Sequence, residues 1–213
     1  GDAGIQIGAD KVYEGVDIQK GLSGTGVSIG IIDSGIRETH NMFPQGKIVE
    51  QYDFYYNDST AQDFSGHGTH VASLAAGVGF NGNPSGIAPG ADLYIWKVCD
   101  TGCSTSAILN AIEKSMDLNG DCGDFSTENI SDVTDECFED HLDIINLSLG
   151  GAGRPDTYSL ALATEAAVDV GITVVVSAGN SGPYYGEWFN PYLKSESYCN
   201  RDFWTIGDDG YPI

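Results

Sequence analysis

Three short segments of this chain carry residue types that could act together on an acyl group. Asp33 ends the apolar run Val27-Ser28-Ile29-Gly30-Ile31-Ile32 and is followed by Ser34-Gly35. His67 stands between glycines in Gly66-His67-Gly68-Thr69-His70-Val71-Ala72-Ser73. Asn180 follows Val174-Val175-Val176-Ser177-Ala178-Gly179 and precedes Ser181-Gly182-Pro183. Taken singly, each has a plain explanation: a strand-end Asp caps a turn or helix, and an Asn before Ser-Gly-Pro makes a turn. His67 and His70 could share a metal on one helical face, but no third ligand and no His-Glu-x-x-His motif accompanies them. Together, the three supply what nucleophilic acyl transfer needs. A carboxylate orients an imidazole, the imidazole takes the nucleophile's proton, and an amide donates to the developing oxyanion.

Such groups need a scaffold that brings them to one place, and the alternation of apolar runs supplies one. Val27–Ile32, Asp92–Val98, Leu142–Leu149 and Ile172–Ser177 read as strands, each too continuously apolar to have a wet face. Between them, Ser104 opens a helix with Ile108, Leu109, Ile112 and Met116 at helical spacing, and Tyr158–Val170 reads as a second helix rich in Ala and Leu. The segment from His67 opens a third, built of small residues. Strand and helix in this rhythm predict βαβ units, hence an α/β fold with a doubly wound, mostly parallel sheet. In such sheets ligands gather beyond the carboxyl ends of the strands, where Asp33 stands. Two regions break the rhythm: an acidic, Cys-bounded insertion at about 117–141 and an irregular tail at 183–213.

Composition narrows the function classes. The chain has 213 residues, 41% of them hydrophobic, which suits one folded domain over 1–213 and excludes a disordered chain. With 31 acidic against 9 basic residues the net charge is −22, a surface that repels phosphate backbones and anionic lipid, so neither nucleic acid nor membrane is expected as partner. There is no run of apolar residues long enough to span a bilayer.

The five cysteines, Cys99, Cys103, Cys122, Cys137 and Cys199, form no Cys-x-x-Cys pair. Cys99 and Cys103 bracket a turn-like Asp-Thr-Gly, and Cys122 and Cys137 bracket the acidic stretch. Local disulfides at these pairs or free thiols both fit, and disulfides would place the protein outside the reducing cytosol. Asp117, Asn119 and Asp121 alternate, and Glu128 takes the twelfth place, the oxygen spacing of a calcium-binding EF-hand loop, although Cys122 stands where that loop wants Gly. A solvated acidic loop is the other reading of this stretch.

The order Asp, His, Asn, each at a strand-to-helix or strand-to-loop junction, resembles the subtilisin-like serine proteases. The motifs are D-S-G at Asp33, G-H-G-T-H-V-A at His67, N-L-S-L-G-G from Asn146 and S-A-G-N-S-G-P around Asn180, and the likeness runs from about Ile7 to Pro183. The resemblance implies that Asp33 orients His67, that His67 is general base and then acid, and that Asn180 donates to the oxyanion, with His70 structural. It implies that Ser148, Leu149, Gly150 and Gly151 pair with the substrate and line its main pocket, and that Gly102 and Cys103 form the opposite edge. An extended polypeptide would then lie between the two as an added strand.

The same likeness implies structural calcium, and disulfides at the cysteine pairs would imply a secreted or extracellular location. One part of the pattern is absent: the chain has no G-T-S-[MA] segment, where the family keeps its nucleophilic serine. The expectation is therefore a serine endopeptidase domain incomplete at its C-terminus, whose serine lies on a further segment or a second chain. A silent peptide-binding pseudoprotease or an isolated fragment is the alternative.

Overall fold

The computed structural model describes residues 2–15, 21–82, 84–120, 140–150 and 159–177. Two short helices, α1 (Asp2–Gln6) and α2 (Ala9–Glu14), lead into a five-stranded sheet made of β1 (Ser28–Asp33), β2 (Ile48–Asp53), β3 (Asp92–Lys97), β4 (Ile144–Leu147) and β5 (Thr173–Val176). Helix α3 (His67–Ala76) precedes β3, α4 (Thr105–Met116) follows it, and α5 (Ser159–Asp169) joins β4 to β5. The strands lie in the order β2-β3-β1-β4-β5 and every pairing is parallel. The α/β fold with a doubly wound parallel sheet is therefore observed, with β1 at its centre.

Burial on both faces explains why the inner strands β1 and β3 are rich in apolar residues, whereas Thr173 and Val175 of the edge strand β5 are exposed, so β5 is not covered on both faces as its apolar run predicts. Ile29, Ile31, Leu93 and Ile95 pack on one face with Ala72 and Ala76 of α3. Ile32, Trp96, Ile145 and Leu147 pack on the other with Ala107, Ile108, Ala111, Ile112 and Met116 of α4 and Ala167 of α5. Successive side chains of a strand alternate faces, so β1 divides its apolar residues between two cores. Gly30 lies where β1 passes β4, and a methyl group there would stand 2.7 Å from Leu142 Cδ1, so that side chain would have to shift.

The predicted helix start is observed: Ser104 has extended backbone and its hydroxyl accepts from the Ala107 amide at 3.4 Å. A polar group buried in this core is the Trp96 indole. It donates to Ser115 Oγ at 3.0 Å, and Ser115 passes a hydrogen bond to the Ala111 carbonyl at 2.7 Å.

Three elements escape the sequence reading. Strand β2 lies at the edge of the sheet, only partly buried and with a register shift between Ile48 and Glu50, so Glu50 and Gln51 interrupt any apolar pattern. Helices α1 and α2, at 5 and 6 residues, are too short to display a helical period. Asn180, Gly151, Asp121, Glu128, Cys122, Cys137 and Cys199 lie outside the described residues, as do the 183–213 tail and most of the 117–141 insertion.

Candidate active site

Alternation along β1 sends Ile29 and Ile31 to the face that α3 covers, so Asp33, two residues on, projects to the same side at the end of the strand. Helix α3 opens on that side with His67. The imidazole Nδ1 lies 2.8 Å from Asp33 Oδ1. Asp33 is almost wholly buried, whereas the His67 side chain is 53% exposed. A carboxylate only accepts, so Nδ1 carries the shared proton, and Nε2 is the ring nitrogen not engaged by Asp33. Asp33 Oδ1 also accepts from the Ser34 amide at 2.7 Å. Its Oδ2 is buried and without a hydrogen-bond partner among the described residues.

Glycines permit this approach of helix and strand. A methyl group on Gly68 would stand 2.3 Å from the Gly35 carbonyl oxygen and 3.2 Å from Asp33 Oδ1. Gly35, at φ 109°, has the Ala61 carbonyl oxygen equally close.

The start of α3 has a residue, Gly66, at the N-cap position that offers no side chain. Its amides are satisfied from outside. Asp63 Oδ1 accepts from the Ser65 and Gly66 amides at 3.0 and 2.8 Å, and Oδ2 from the Thr69 amide at 2.9 Å. Ser34 Oγ accepts from the Gly68 amide at 2.9 Å. Burial would raise the Asp63 pKa, but the hydrogen bonds from Thr69, Gly66 and Ser34 outweigh it and hold the carboxyl below its ordinary value. Sequence reasoning passed over Asp63. Its available signal was a helix start with glycine as cap and an acid three residues earlier.

Lys97 ends β3 directly beside Asp33 in register and is fully buried. Its ammonium donates to the Gln62 carbonyl at 2.8 Å, lies 3.5 Å from Asp53 Oδ2, and sits under the rings of Phe64 and Tyr56. Asp53 is buried too, and its Oδ1 accepts from the Tyr55 and Tyr56 amides, both at 2.8 Å.

Beyond Lys97 the chain turns back on itself. Cys99 and Cys103 are joined by a disulfide, and the Asp100 amide donates to the Gly102 carbonyl at 3.0 Å. Of the two readings of these cysteines, the local disulfide is the one observed. The Asp33 carbonyl accepts from the Val98 amide at 2.8 Å and the Cys99 amide at 3.3 Å, which anchors this loop to the end of β1. Gly102 and Cys103 are exposed. The Tyr56 hydroxyl donates to Asp100, and chiefly for that reason its pKa is pushed up to about 12.

Across the sheet, β4 ends at Leu147 opposite Ile32, so Ser148, Leu149 and Gly150 leave the sheet at the edge that holds Asp33. Asn146 donates its side-chain amide to Ser148 Oγ at 3.0 Å, and Ser177 Oγ donates to the Leu149 carbonyl at 3.2 Å. Gly150 is exposed. The two segments expected to form substrate edges thus leave the sheet from strands on either side of β1. His70, expected as structural, has its side chain on the exposed surface.

The parallel α/β sheet agrees with the comparisons with known proteins. Residues 24–204 match the Subtilase family. The chain belongs to that family. It is 36% identical over 178 residues to subtilisin DY of Bacillus licheniformis, covering 83% of this chain and 53% of that protein. It is 33% identical over 185 residues to thermitase of Thermoactinomyces vulgaris, covering 84% of this chain and 57% of that protein.

Among solved structures, a protease of Pseudoalteromonas arctica superposes with a TM-score of 0.57 at 27% identity, covering 80% of this chain and 57% of the other. This subtilase chain spans about half the length of the relatives it matches. For a metal, no group of three or more His, Cys, Asp or Glu side chains is gathered among the described residues. Of the EF-hand-like positions, Asp117 is buried at the end of α4 with Oδ1 accepting from the Gly120 amide at 2.6 Å, and the Asn119 amide donates to Asp140 Oδ2 at 2.7 Å. No helix among the described residues is long and apolar enough to cross a membrane.

Proposed function

We propose that this chain is the Asp- and His-bearing part of a serine endopeptidase catalytic domain that cleaves extended polypeptides. The observation that carries the reading is the 2.8 Å contact between His67 Nδ1 and the buried Asp33 carboxylate, with the His67 side chain half-exposed. A histidine held in that tautomer can draw the proton from a serine hydroxyl as it attacks the scissile carbonyl. It then returns the proton to the leaving amine, while Asp33 stabilises the imidazolium between the two steps. Asn180 is proposed as the donor to the tetrahedral oxyanion. The substrate backbone would pair with Gly102 and Cys103 on one side and with Ser148, Leu149, Gly150 and Gly151 on the other.

The nucleophile in this proposal is a serine outside the 213 residues, on a continuing segment or a second chain. Membership of the Subtilase family, and coverage of only about half the length of the relatives it matches, favour that arrangement. Secretion is part of the proposal, supported by the Cys99–Cys103 disulfide. Structural calcium at 117–128 is another part, with Asp117, Asn119, Asp121 and Glu128 as oxygen donors. It would close the acidic loop and take no part in the reaction. Replacing Asp121 and Glu128 by Ala should remove any calcium-dependent rise in melting temperature, and a melting curve indifferent to chelator would end that idea.

Denaturing intact-mass spectrometry after treatment with a fluorophosphonate tests the main reading. A label on a continuing or second polypeptide supports the serine protease. Absence of label on every species, with peptide binding retained, would replace it by a silent peptide-binding module.

A further inference from the structure

We propose that Asp63 is a positioning residue for the His67–Asp33 pair, acting through Ser34 and Thr69 rather than on any substrate. This deepens the reading above and rests on it for the role of His67. One buried carboxylate receives hydrogen bonds from both halves of the pair's scaffold. From the strand side, Ser34, the neighbour of Asp33, donates its hydroxyl to Asp63 Oδ1 at 2.9 Å. From the helix side, Thr69, two residues after His67, donates its amide and its hydroxyl to Oδ2 at 2.9 and 2.5 Å. The Ser65 and Gly66 amides just before His67 complete the set at 3.0 and 2.8 Å.

The geometry closes on itself. The Ser34 hydroxyl that donates to Asp63 also accepts from the Gly68 amide at 2.9 Å, and the Thr69 hydroxyl accepts from the Arg37 amide at 3.0 Å. Strand end and helix start are therefore held by a ring of short bonds with Asp63 as its common acceptor. Asp33 and His67 are the residues that the ring brackets. The imidazole is half-exposed and its one hydrogen bond among the described residues is that of Nδ1, so its aim depends on where the first turn of α3 stands. An acid at this place also compensates the positive end of the helix, which an uncharged acceptor does less well.

The test uses the whole protein with its nucleophile and three variants: Asp63→Asn, Thr69→Val, which removes the hydroxyl that donates to Asp63 and accepts from the Arg37 amide, and Thr69→Ser, which keeps a hydroxyl there. Two readouts are taken. The first is the downfield proton resonance of the hydrogen-bonded His67 Nδ1–H. The second is the split between kcat and KM after titration of active sites.

Positioning predicts that Asp63→Asn and Thr69→Val shift or broaden that resonance and lower kcat, by up to about 100-fold for Asp63→Asn, with KM nearly unchanged. Thr69→Ser should restore both. Folded variants with a native resonance and native kcat per active site, but a lower melting temperature, would overturn the proposal and leave Asp63 a stabilising cap only. If Asp63→Asn does not fold, Thr69→Val against Thr69→Ser decides. The resonance is read without turnover, so a protein lacking peptidase activity would defeat the functional reading and still leave the positioning role open to support or refutation.

Discussion

Lys97 and Asp33 are register partners in adjacent strands, yet the Lys97 ammonium pairs with Asp53 on its other side and leaves the Asp33 carboxylate to His67. Three strand ends thus carry a row Asp53, Lys97, Asp33, in which the buried cation is committed to the outer acid. Removing Lys97 strands Asp53 as a buried charge. Lys97→Met should destabilise the protein by about 3–5 kcal/mol in urea unfolding, the usual range when one member of a buried pair is deleted. Adding Asp53→Asn should recover part of that loss, because the Tyr55 and Tyr56 amides can still donate to the remaining oxygen. A double variant no more stable than Lys97→Met would mean that the pair is not what holds these strand ends.

Asp33→Asn preserves shape and removes the charge that fixes the His67 tautomer. Expected is a fall in kcat of about four orders of magnitude with KM little changed. Steady-state kinetics on a peptide ester or amide substrate would check it. Activity within tenfold of the parent would remove Asp33 from the mechanism.

Gly68→Ala tests the closeness of helix and strand while leaving Asp33 and His67 themselves unaltered. The added methyl meets a backbone carbonyl, that of Gly35, at 2.3 Å, and no flexible side chain can yield to it. The helix start must therefore move off β1 and carry His67 with it. Activity should fall about 100-fold and stability by about 1–3 kcal/mol, the cost typical of overpacking. Parent-like kinetics would show that the site tolerates a wider gap.

The parts of this site that the sequence made legible are those whose signal is local. Asp33 is marked by its place after a largely apolar run, and the four strands read from such runs are all observed; for β1 and β3 burial on both faces is the reason, while β5 is apolar with Thr173 and Val175 exposed. Ser104 is marked as a cap by the helical spacing that follows it. Illegible were groups whose role arises only from packing. Asp63 lies in a polar loop, and its importance comes from two segments, at Ser34 and Thr69, that the fold brings to it. Lys97 reads as the polar end of a strand, and nothing local tells that it is buried against Asp53 under two aromatic rings. Strand β2 was missed for the related reason that an edge strand need not be apolar.

The Tyr56–Asp100 hydrogen bond ties the turn after β2 to the disulfide loop, and it carries a pH signature. The Tyr56 pKa is raised to about 12, so the bond favours the neutral phenol. Its contribution is complete below the unfolded value of about 10 and is lost as pH rises through about 12. Titration of phenolate absorbance should show one tyrosine ionising late, and Asp100→Asn should bring that step back towards the ordinary range. A late step that persists in Asp100→Asn would assign it to another tyrosine, such as Tyr13 or Tyr94, both of which burial pushes upward.

Asp63 should leave its mark at the acid end. Its folded pKa lies below the ordinary carboxylate value, because the donors from Thr69, Gly66 and Ser34 outweigh the effect of burial. A depressed folded pKa means that the stabilisation is fully present above about pH 4 and is lost as pH falls through the lowered value. Asp63→Asn should therefore cost about 1.5–3 kcal/mol near neutrality, where hydrogen bonds to a charged acceptor are forfeited. The same substitution should cost progressively less as the parent's own carboxyl becomes protonated, so the two stability curves should converge in acid. Urea denaturation across that range reads the difference directly. Curves that stay parallel into acid would show that the stabilisation comes from the shape of the side chain and not from its charge.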